Sequence, residues 1–143
     1  MQESINRKGA MSVFVRHVFL LLWLRLLSTS NGFEIRTHKT HVSVTNSLEG
    51  GMVLALHCKS ADDDLGVQIL SPNSSFVWSF TVNFFSSTLF HCAFQWNDVI
   101  HKFAIYEASR DELRCMTCNW TIKEDGPCLF LYDHLNSCYP WKD

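Results

Sequence analysis

The sequence predicts an all-β protein, a small disulfide-stabilised antiparallel β-sandwich of about eight strands. Large apolar residues alternate with polar residues in several short stretches, which is the period of two expected when one face of a strand is buried. Residues that favour turns separate these stretches, and no segment has a helical period of useful length. The 143 residues also include six cysteines, an even number that can form disulfides.

Residues 1–30 are predicted to be a secretory signal peptide that is cleaved. Basic residues precede an apolar run at 18–27 and small residues follow it, which is the layout of such a signal. The run is shorter than the roughly 20 apolar residues that span a bilayer, and Arg25 interrupts it. We expect cleavage near Ser30 or Gly32, with a membrane anchor or a buried helix as the alternative.

The rest of the chain, residues 31–143, is acidic. It keeps 8 of the 12 lysines and arginines but 13 of the 14 aspartates and glutamates, which gives a net charge of −5. Nucleic acids and anionic membranes require concentrated positive charge. Since the sequence has no cluster of basic residues, we expect neither as a partner and no membrane insertion after the signal is removed.

The six cysteines predict up to three disulfides, because a secretory signal leads to an oxidising compartment. They are Cys58, Cys92, Cys115, Cys118, Cys128 and Cys138. Each disulfide commonly stabilises a small domain by about 2–4 kcal/mol, but six cysteines allow 15 pairings and the sequence leaves the choice open. Two sequons, at Asn73 and Asn119, predict N-glycosylation in the same compartment.

The domain is expected at residues 41–143, after an N-terminal arm at 31–40. Alternation predicts eight strands, at 41–45, 52–58, 66–70, 75–82, 88–96, 99–106, 114–123 and 128–132. Turn-forming residues at 46–51 separate the first two strands, and a charged turn at 59–65 precedes the third. Pro72 ends the third strand, because proline fixes its own φ and restricts the residue before it. Asn73 is therefore expected on a loop.

The fourth and fifth strands each place four large side chains on one face. These are Phe76, Trp78, Phe80 and Val82 in the fourth strand, and Phe90, Cys92, Phe94 and Trp96 in the fifth. Two neighbouring strands would thus bury aromatic faces in a common core. Residues 83–87 are predicted to connect them.

The second half of the domain is bounded by turn formers at 97–98 and 124–127. Residues 107–113 are polar enough for a loop or a single helical turn, and Cys138 is expected to tie down the tail at 133–143. Four cysteines face inward on different predicted strands, at positions 58, 92, 118 and 128. Disulfides that join the two sheets through the core are therefore expected.

Seven segments are distinctive in combination. They are His41-Val42-Ser43-Val44-Thr45-Asn46, His57-Cys58-Lys59-Ser60, Asp62-Asp63-Asp64-Leu65-Gly66, Phe76-Val77-Trp78-Ser79-Phe80, Thr88-Leu89-Phe90-His91-Cys92, Cys118-Asn119-Trp120 and Asp125-Gly126-Pro127-Cys128. Together, over residues 41–141, they resemble the plant self-incompatibility protein family, also called the S-protein homologues.

The resemblance implies a small secreted β-sandwich with disulfides, without known catalytic activity, that acts as an extracellular signal or ligand. In the founding members of the family, a stigma protein is recognised by a pollen receptor. A cell-surface receptor protein is therefore the implied partner, and a monomer is expected. The family's usual four cysteines match positions 58, 92, 118 and 128, which leaves Cys115 and Cys138 as an additional pair.

Several motifs suggest a metal or redox site, each with a simpler interpretation. Cys115-x-x-Cys118 could be half of a zinc site or a redox dithiol, but no second matched pair follows and structural disulfides are favoured. The repeated His-Cys pairs, at 57–58 and 91–92, could bind a metal, but adjacent residues of a strand face opposite sides. The two histidines could still meet on the outer face if their strands are neighbours.

Asp62, Asp63 and Asp64 could bind calcium through oxygen ligands, or form a solvated turn, which is the more common role of three consecutive carboxylates. The sequence has no nucleophile elbow and no phosphate-binding glycine loop. We therefore expect no catalytic residue, no bound metal and no cofactor. An extracellular carbohydrate-binding module or hydrolase, using Trp96 or His91, is the alternative function, and a membrane-active defence protein is a weaker one.

Phe84 and Phe85 lie between two predicted strands. They could form an exposed binding patch, but packing under the loop is the expected outcome because phenylalanine is usually buried. Recognition is expected to lie in the loops at 59–65, 71–74 and 83–87. The candidate residues there are Asp62, Asp63, Asp64, Asn73, Phe84 and Phe85.

Overall fold

A computed structural model describes residues 4–28, 38–132 and 136–142, with side chains described from 12 to 25 in the first segment. The chain forms two compact units, residues 1–36 and residues 37–143. The predicted cleavage positions, Ser30 and Gly32, lie outside the described residues, and so does most of the predicted arm.

The first unit contains one helix, α1 (Ser4–Ser28), over the predicted signal peptide. Its described side chains, from 12 to 25, are all exposed. In the parts of the chain that the structure describes, no helix is both long enough and apolar enough to cross a membrane. Signal cleavage stays a prediction.

The second unit is an all-β sandwich, as the sequence predicts. Its elements are β1 (Lys39–Asn46), a 3-10 turn (Glu49–Gly51), β2 (Leu54–Lys59), β3 (Asp64–Leu70), β4 (Ser75–Thr81), β5 (Leu89–Trp96), β6 (Val99–Glu107), α2 (Ala108–Asp111), β7 (Thr117–Lys123), β8 (Gly126–Phe130) and β9 (Ser137–Cys138). All eight predicted strands are present. The two-residue strand β9 lies in the tail, where the sequence has no alternation to reveal it.

Two sheets form the sandwich. Sheet A has the order β4-β1-β7-β8-β9, and sheet B has the order β3-β2-β5-β6. The prediction of antiparallel pairing is wrong for β1 and β7, which run parallel with Val44 opposite Trp120. After β6 the chain passes through α2 into sheet A, and β7 then starts at the same end as β1, so the two strands share a direction.

The predicted alternation produces the core. Val42 and Val44 from sheet A and Phe90 and Phe94 from sheet B are buried in one cluster. Strand β6 departs from strict alternation, because its pairing with β5 shifts register between Phe90 and His91. A bulge of this kind adds one residue to a strand, and two successive β6 residues, Ile105 and Tyr106, are buried.

The disulfides differ from the expected pattern. The three pairs, which use all six cysteines, are Cys58–Cys92, Cys115–Cys118 and Cys128–Cys138. The expected links between the sheets are wrong, and so is the additional pair Cys115–Cys138. Two of the bonds join directly opposite residues of neighbouring strands, β2 with β5 and β8 with β9. Directly opposite residues of neighbouring strands lie within the reach of a disulfide, and in these two pairs the Cα atoms are 4.0 Å apart.

The connections divide between two ends of the sandwich. The upper end carries the β2–β3 connection at 60–63 and the β4–β5 connection at 82–88. The lower end carries the β3–β4, β5–β6 and β7–β8 connections, at 71–74, 97–98 and 124–125. Of the three predicted recognition loops, two therefore meet at the upper end, and the loop that contains Asn73 lies at the opposite end.

Candidate functional site

The β2–β3 connection is a tight turn closed by Ser60. The Ser60 hydroxyl accepts hydrogen bonds from the backbone N–H groups of Asp62 and Asp63, at 3.3 and 3.0 Å. The Ser60 N–H donates to the Asp63 carbonyl at 2.8 Å. Asp62 and Asp63 are exposed, and no lysine, arginine or histidine in the described part of the chain forms an ion pair with either of them.

Asp64, the third carboxylate of the run, is bound by its neighbours. It accepts hydrogen bonds from His57 at 2.5 Å and from the Gly66 N–H at 2.9 Å, and Lys59 lies 3.2 Å away. These contacts, His57 foremost, hold the pKa of Asp64 far below its usual value. Because the Asp64 carboxylate accepts these hydrogen bonds, the three carboxylates do not converge on one ion. No group of three potential metal ligands occurs among the described residues.

The β4–β5 connection is braced by Asn83. The Asn83 amide donates to the Ser87 hydroxyl at 2.7 Å and accepts from the Ser87 N–H at 2.8 Å. Its backbone N–H donates to the Thr88 hydroxyl at 2.9 Å, and its carbonyl accepts from the Ser86 N–H at 3.0 Å. These four bonds fix the two ends of the loop.

Phe84 and Phe85 form the exposed tip of this braced loop. Their exposed fractions are 79% and 84%, and the rings meet edge to face with centroids 5.5 Å apart. The expectation that they pack under the loop is therefore wrong. The loop is too tightly closed by Asn83 to fold its tip inward, and the nearby core positions are already occupied by Phe80 and Phe90, whose ring centroids are 4.7 Å apart.

A cleft of about 520 Å³ separates the two upper loops. Its apolar part is formed by Phe80, Leu89 and Phe90. The polar residues that line it are Lys59, Ser60, Asp62, Asp63, Thr81, Asn83, Ser87, Thr88 and His91. The lining residues at the strand ends are not predictable from the sequence, because alternation predicts which face a side chain takes but not which strand ends come together.

The paired histidines lie on neighbouring strands but contact different residues. His57 lies opposite Ala93, and His91 lies opposite Lys59, so the histidines occupy diagonal positions on the outer face of sheet B. The His57 ring is directed to Asp64. The strands that carry the two histidines are neighbours, which was the condition for the histidines to meet. The two rings nevertheless have different surroundings.

Trp96 is covered by other aromatic rings. Its exposed fraction is 8%, and it stacks on His101 with centroids 4.4 Å apart, while Trp141 lies 5.7 Å away. A sugar-binding platform requires an accessible ring face. The carbohydrate-binding alternative therefore loses the tryptophan on which it was based.

Both sequons are accessible and lie outside the lining of the cleft. Asn73 is exposed in the β3–β4 turn at the lower end. Asn119 is exposed on β7, next to Ser43 of β1 and Phe130 of β8. A glycan at either position would leave the cleft itself uncovered.

Comparison with known proteins gives consistent matches. Residues 41–141 match the family model described as plant self-incompatibility protein S1. S-protein homolog 3 of Arabidopsis thaliana is 40% identical over 136 residues, covering 90% of this chain and 91% of the relative. S-protein homolog 29 of the same plant is 35% identical, covering 94% and 98%. The solved structure of a self-incompatibility protein homologue has the same fold, with a TM-score of 0.57 and 14% identity over 76% of this chain and 99% of that one.

Proposed function

Because this chain belongs to the plant self-incompatibility protein S1 family, we propose that it is a non-catalytic extracellular ligand that binds a cell-surface receptor protein. The binding surface is the upper end of the sandwich. The observation that carries this proposal is the braced loop that holds Phe84 and Phe85 in solvent beside the cleft. Neighbouring exposed apolar side chains that are rimmed by polar residues are typical of interaction sites.

The protein is secreted and works outside the cell. All six cysteines are in disulfides, which persist in oxidising compartments. The solved family structure is described as that of small, highly stable, secreted plant proteins. Cleavage of residues 1–30 as a signal peptide, and glycans on Asn73 and Asn119, are parts of the proposal.

The cleft supports binding rather than catalysis. Its serine and asparagine side chains brace their own loops: Ser60 holds the β2–β3 turn, and Asn83 holds Ser87. Acid–base or nucleophilic catalysis needs a base within hydrogen-bond reach of the group that it activates. No such pair is found among the residues that line the cleft, since Ser60 bonds to backbone groups and Ser87 to Asn83.

Proximity labelling on living plant cells tests the proposal. The secreted protein, carrying a labelling enzyme and applied at about nanomolar concentration, should label a membrane protein, and an excess of unlabelled protein should abolish the signal. A reduced and alkylated sample serves as the control for nonspecific adhesion. Failure to capture any membrane protein, or hydrolysis of a polysaccharide in a panel of substrates, would contradict a role as a non-catalytic receptor ligand.

A further inference from the structure

We propose that the upper end binds a peptide segment of its partner in which a lysine or arginine lies beside a large apolar side chain. In this mode Phe84 and Phe85 are the aromatic anchors, Asp62 and Asp63 contact the cation, and the cleft takes the apolar side chain. The inference rests on the proposed receptor-binding function and adds the chemistry of the partner.

The anchors are suited to binding because they are already fixed. Four hydrogen bonds that involve Asn83, two donated and two accepted, hold the loop, and the edge-to-face contact holds the two rings against each other. Binding by a braced loop costs less conformational entropy than binding by a loose one. Large aromatic side chains are also among the residues that contribute most to protein interfaces.

The charge of the partner follows from the contrast between neighbouring aspartates. Asp64 is hydrogen-bonded to His57 and paired with Lys59, whereas Asp62 and Asp63 lack an ionic partner among the described residues. Ser60 accepts hydrogen bonds from the backbone N–H groups of these two residues, and their carboxylates lie in solvent. Opposite charge across an interface favours association. Two unpaired carboxylates at the rim therefore select a cationic segment.

The cleft is the reason why the partner segment is expected to carry a large apolar side chain. Its volume of about 520 Å³ falls within the roughly 300–1,000 Å³ of typical ligand sites. Phe80, Leu89 and Phe90 line its apolar part, directly between the acidic turn and the aromatic loop. An apolar side chain next to the partner's cation would fill this space while the cation stays at the rim.

A protein partner fits this surface better than a membrane does. Exposed phenylalanines could enter a bilayer, but surface-bound segments usually carry lysine and arginine on the polar side to match anionic lipids. The upper end instead presents Asp62 and Asp63 on the same cleft that Asn83 and Ser87 of the aromatic loop line. Those carboxylates would repel an anionic headgroup layer.

Peptide selection tests the proposal without knowledge of the receptor. The disulfide-bonded protein, expressed from the full chain in a secretory host, is screened against a random library of displayed peptides, and binders are remeasured as synthetic peptides. Selected peptides should pair lysine or arginine with a neighbouring leucine, phenylalanine or tryptophan. The double change Phe84→Ala with Phe85→Ala should weaken their binding at least about tenfold. Asp62→Asn with Asp63→Asn should weaken it and reduce its dependence on salt.

Matched controls come from the lower end. Val99→Ala with Ile100→Ala removes two exposed apolar side chains, of 51% and 57% exposure. Asp98→Asn with Asp125→Asn removes two exposed carboxylates. Both controls should bind the peptides as the unchanged protein does, and thermal unfolding of every variant verifies the fold.

Three results of the peptide experiments would overturn the proposal. They are the absence of any peptide binder up to about 1 mM, selection of acidic or wholly polar peptides, and binding that the upper-end changes leave intact. Sedimentation with phosphatidylcholine–phosphatidylserine vesicles covers the other source of binding, and attachment that depends on Phe84 and Phe85 would also overturn it. Receptor capture on cells together with any of these results would leave the proposed function standing and remove only this inference.

Discussion

Two regions of the sandwich, Asn46 at the lower end and the Phe84–Phe85 loop at the upper end, use their side chains differently. At the lower end a polar side chain, Asn46, is fully buried and donates to the carbonyls of Met52 at 2.8 Å and Leu70 at 2.9 Å. At the upper end two large apolar side chains, Phe84 and Phe85, lie in solvent. The buried Asn46 stabilises the fold, and under the proposed function the exposed rings contact the partner.

The tail reinforces the lower end. The Tyr139 N–H donates to the Pro127 carbonyl at 3.0 Å, and the Trp141 indole donates to the Lys123 carbonyl at 3.2 Å. Trp141 also stacks on His101, with centroids 4.8 Å apart. Changes at this end should therefore affect stability, while changes at the upper end should affect binding.

The largest effect on stability is expected from Gly126→Ala. Gly126 has a φ of 148°, and a Cβ there would lie 1.8 Å from the Tyr139 carbonyl oxygen, so the tail must move away. We expect a loss of about 3 kcal/mol or more in the free energy of unfolding, measured by urea denaturation. Gly50→Ala is the matched control, since Gly50 has a φ of 67° but no atom within 4 Å of the added carbon. Its cost should be nearer to about 1 kcal/mol, and equal losses would contradict the role of the tail.

Asn46→Ala should have the next largest effect. The change removes two donated hydrogen bonds and the one that Asn46 accepts from the Leu48 N–H at 3.1 Å, and leaves buried backbone groups without partners. A loss of about 2–3 kcal/mol is expected from urea unfolding. The exposed Asp125→Ala, also at the lower end, should cost much less. If both changes cost the same, the buried amide does not hold the lower end together.

Asp64→Asn should have a small, pH-dependent effect at the upper end. Since the folded-state pKa of Asp64 lies below its ordinary value of 3.8, the carboxylate stabilises the fold above that pH and loses this effect as the pH falls through the lowered pKa. Urea midpoints of the two proteins should therefore differ slightly at about pH 6 and converge toward about pH 2. The effect is small because the ion pairs of Asp64 are exposed. A difference in urea midpoint that does not change with pH would contradict the ion pairs assigned to Asp64.

The smallest effect on stability is expected from Phe84→Ala with Phe85→Ala. Surface changes of this kind usually alter the free energy of unfolding by less than about 0.5 kcal/mol. Thermal unfolding should show the double variant unchanged, with a gain in solubility. A clear loss of stability would mean that the rings support the fold, and the comparison between the two ends would fail.

Alternation predicted the strands well because burial of one face is a local property of the sequence. Val42, Val44, Phe90 and Phe94 are in the core as expected, and the β1 strand begins only two residues before its predicted start, at Lys39. Local patterns do not determine which strands become neighbours. The parallel β1–β7 pair and the disulfides within each sheet were missed for that reason.

The two ends were only partly predictable. Asn46 was assigned to a turn because asparagine favours turns, and nothing local indicates that its side chain binds two distant carbonyls. The candidate loops that contain Asp62 and Phe84 were identified, but burial statistics gave the wrong orientation for Phe84 and Phe85. The cleft was missed, because it is formed by strand ends far apart in sequence, such as Thr81 and Lys59.

Binding of paired variants to plant cells tests the central claim most directly. Fluorescently labelled unchanged protein, Phe84→Ala with Phe85→Ala, and Val99→Ala with Ile100→Ala are compared on the cells that bind the unchanged protein. We predict that the upper-end variant loses at least about tenfold in affinity while the lower-end variant binds normally. Normal binding by the upper-end variant, together with loss of binding by the lower-end variant, would place the receptor-binding surface at the lower end. That result would contradict the proposed role of Phe84 and Phe85.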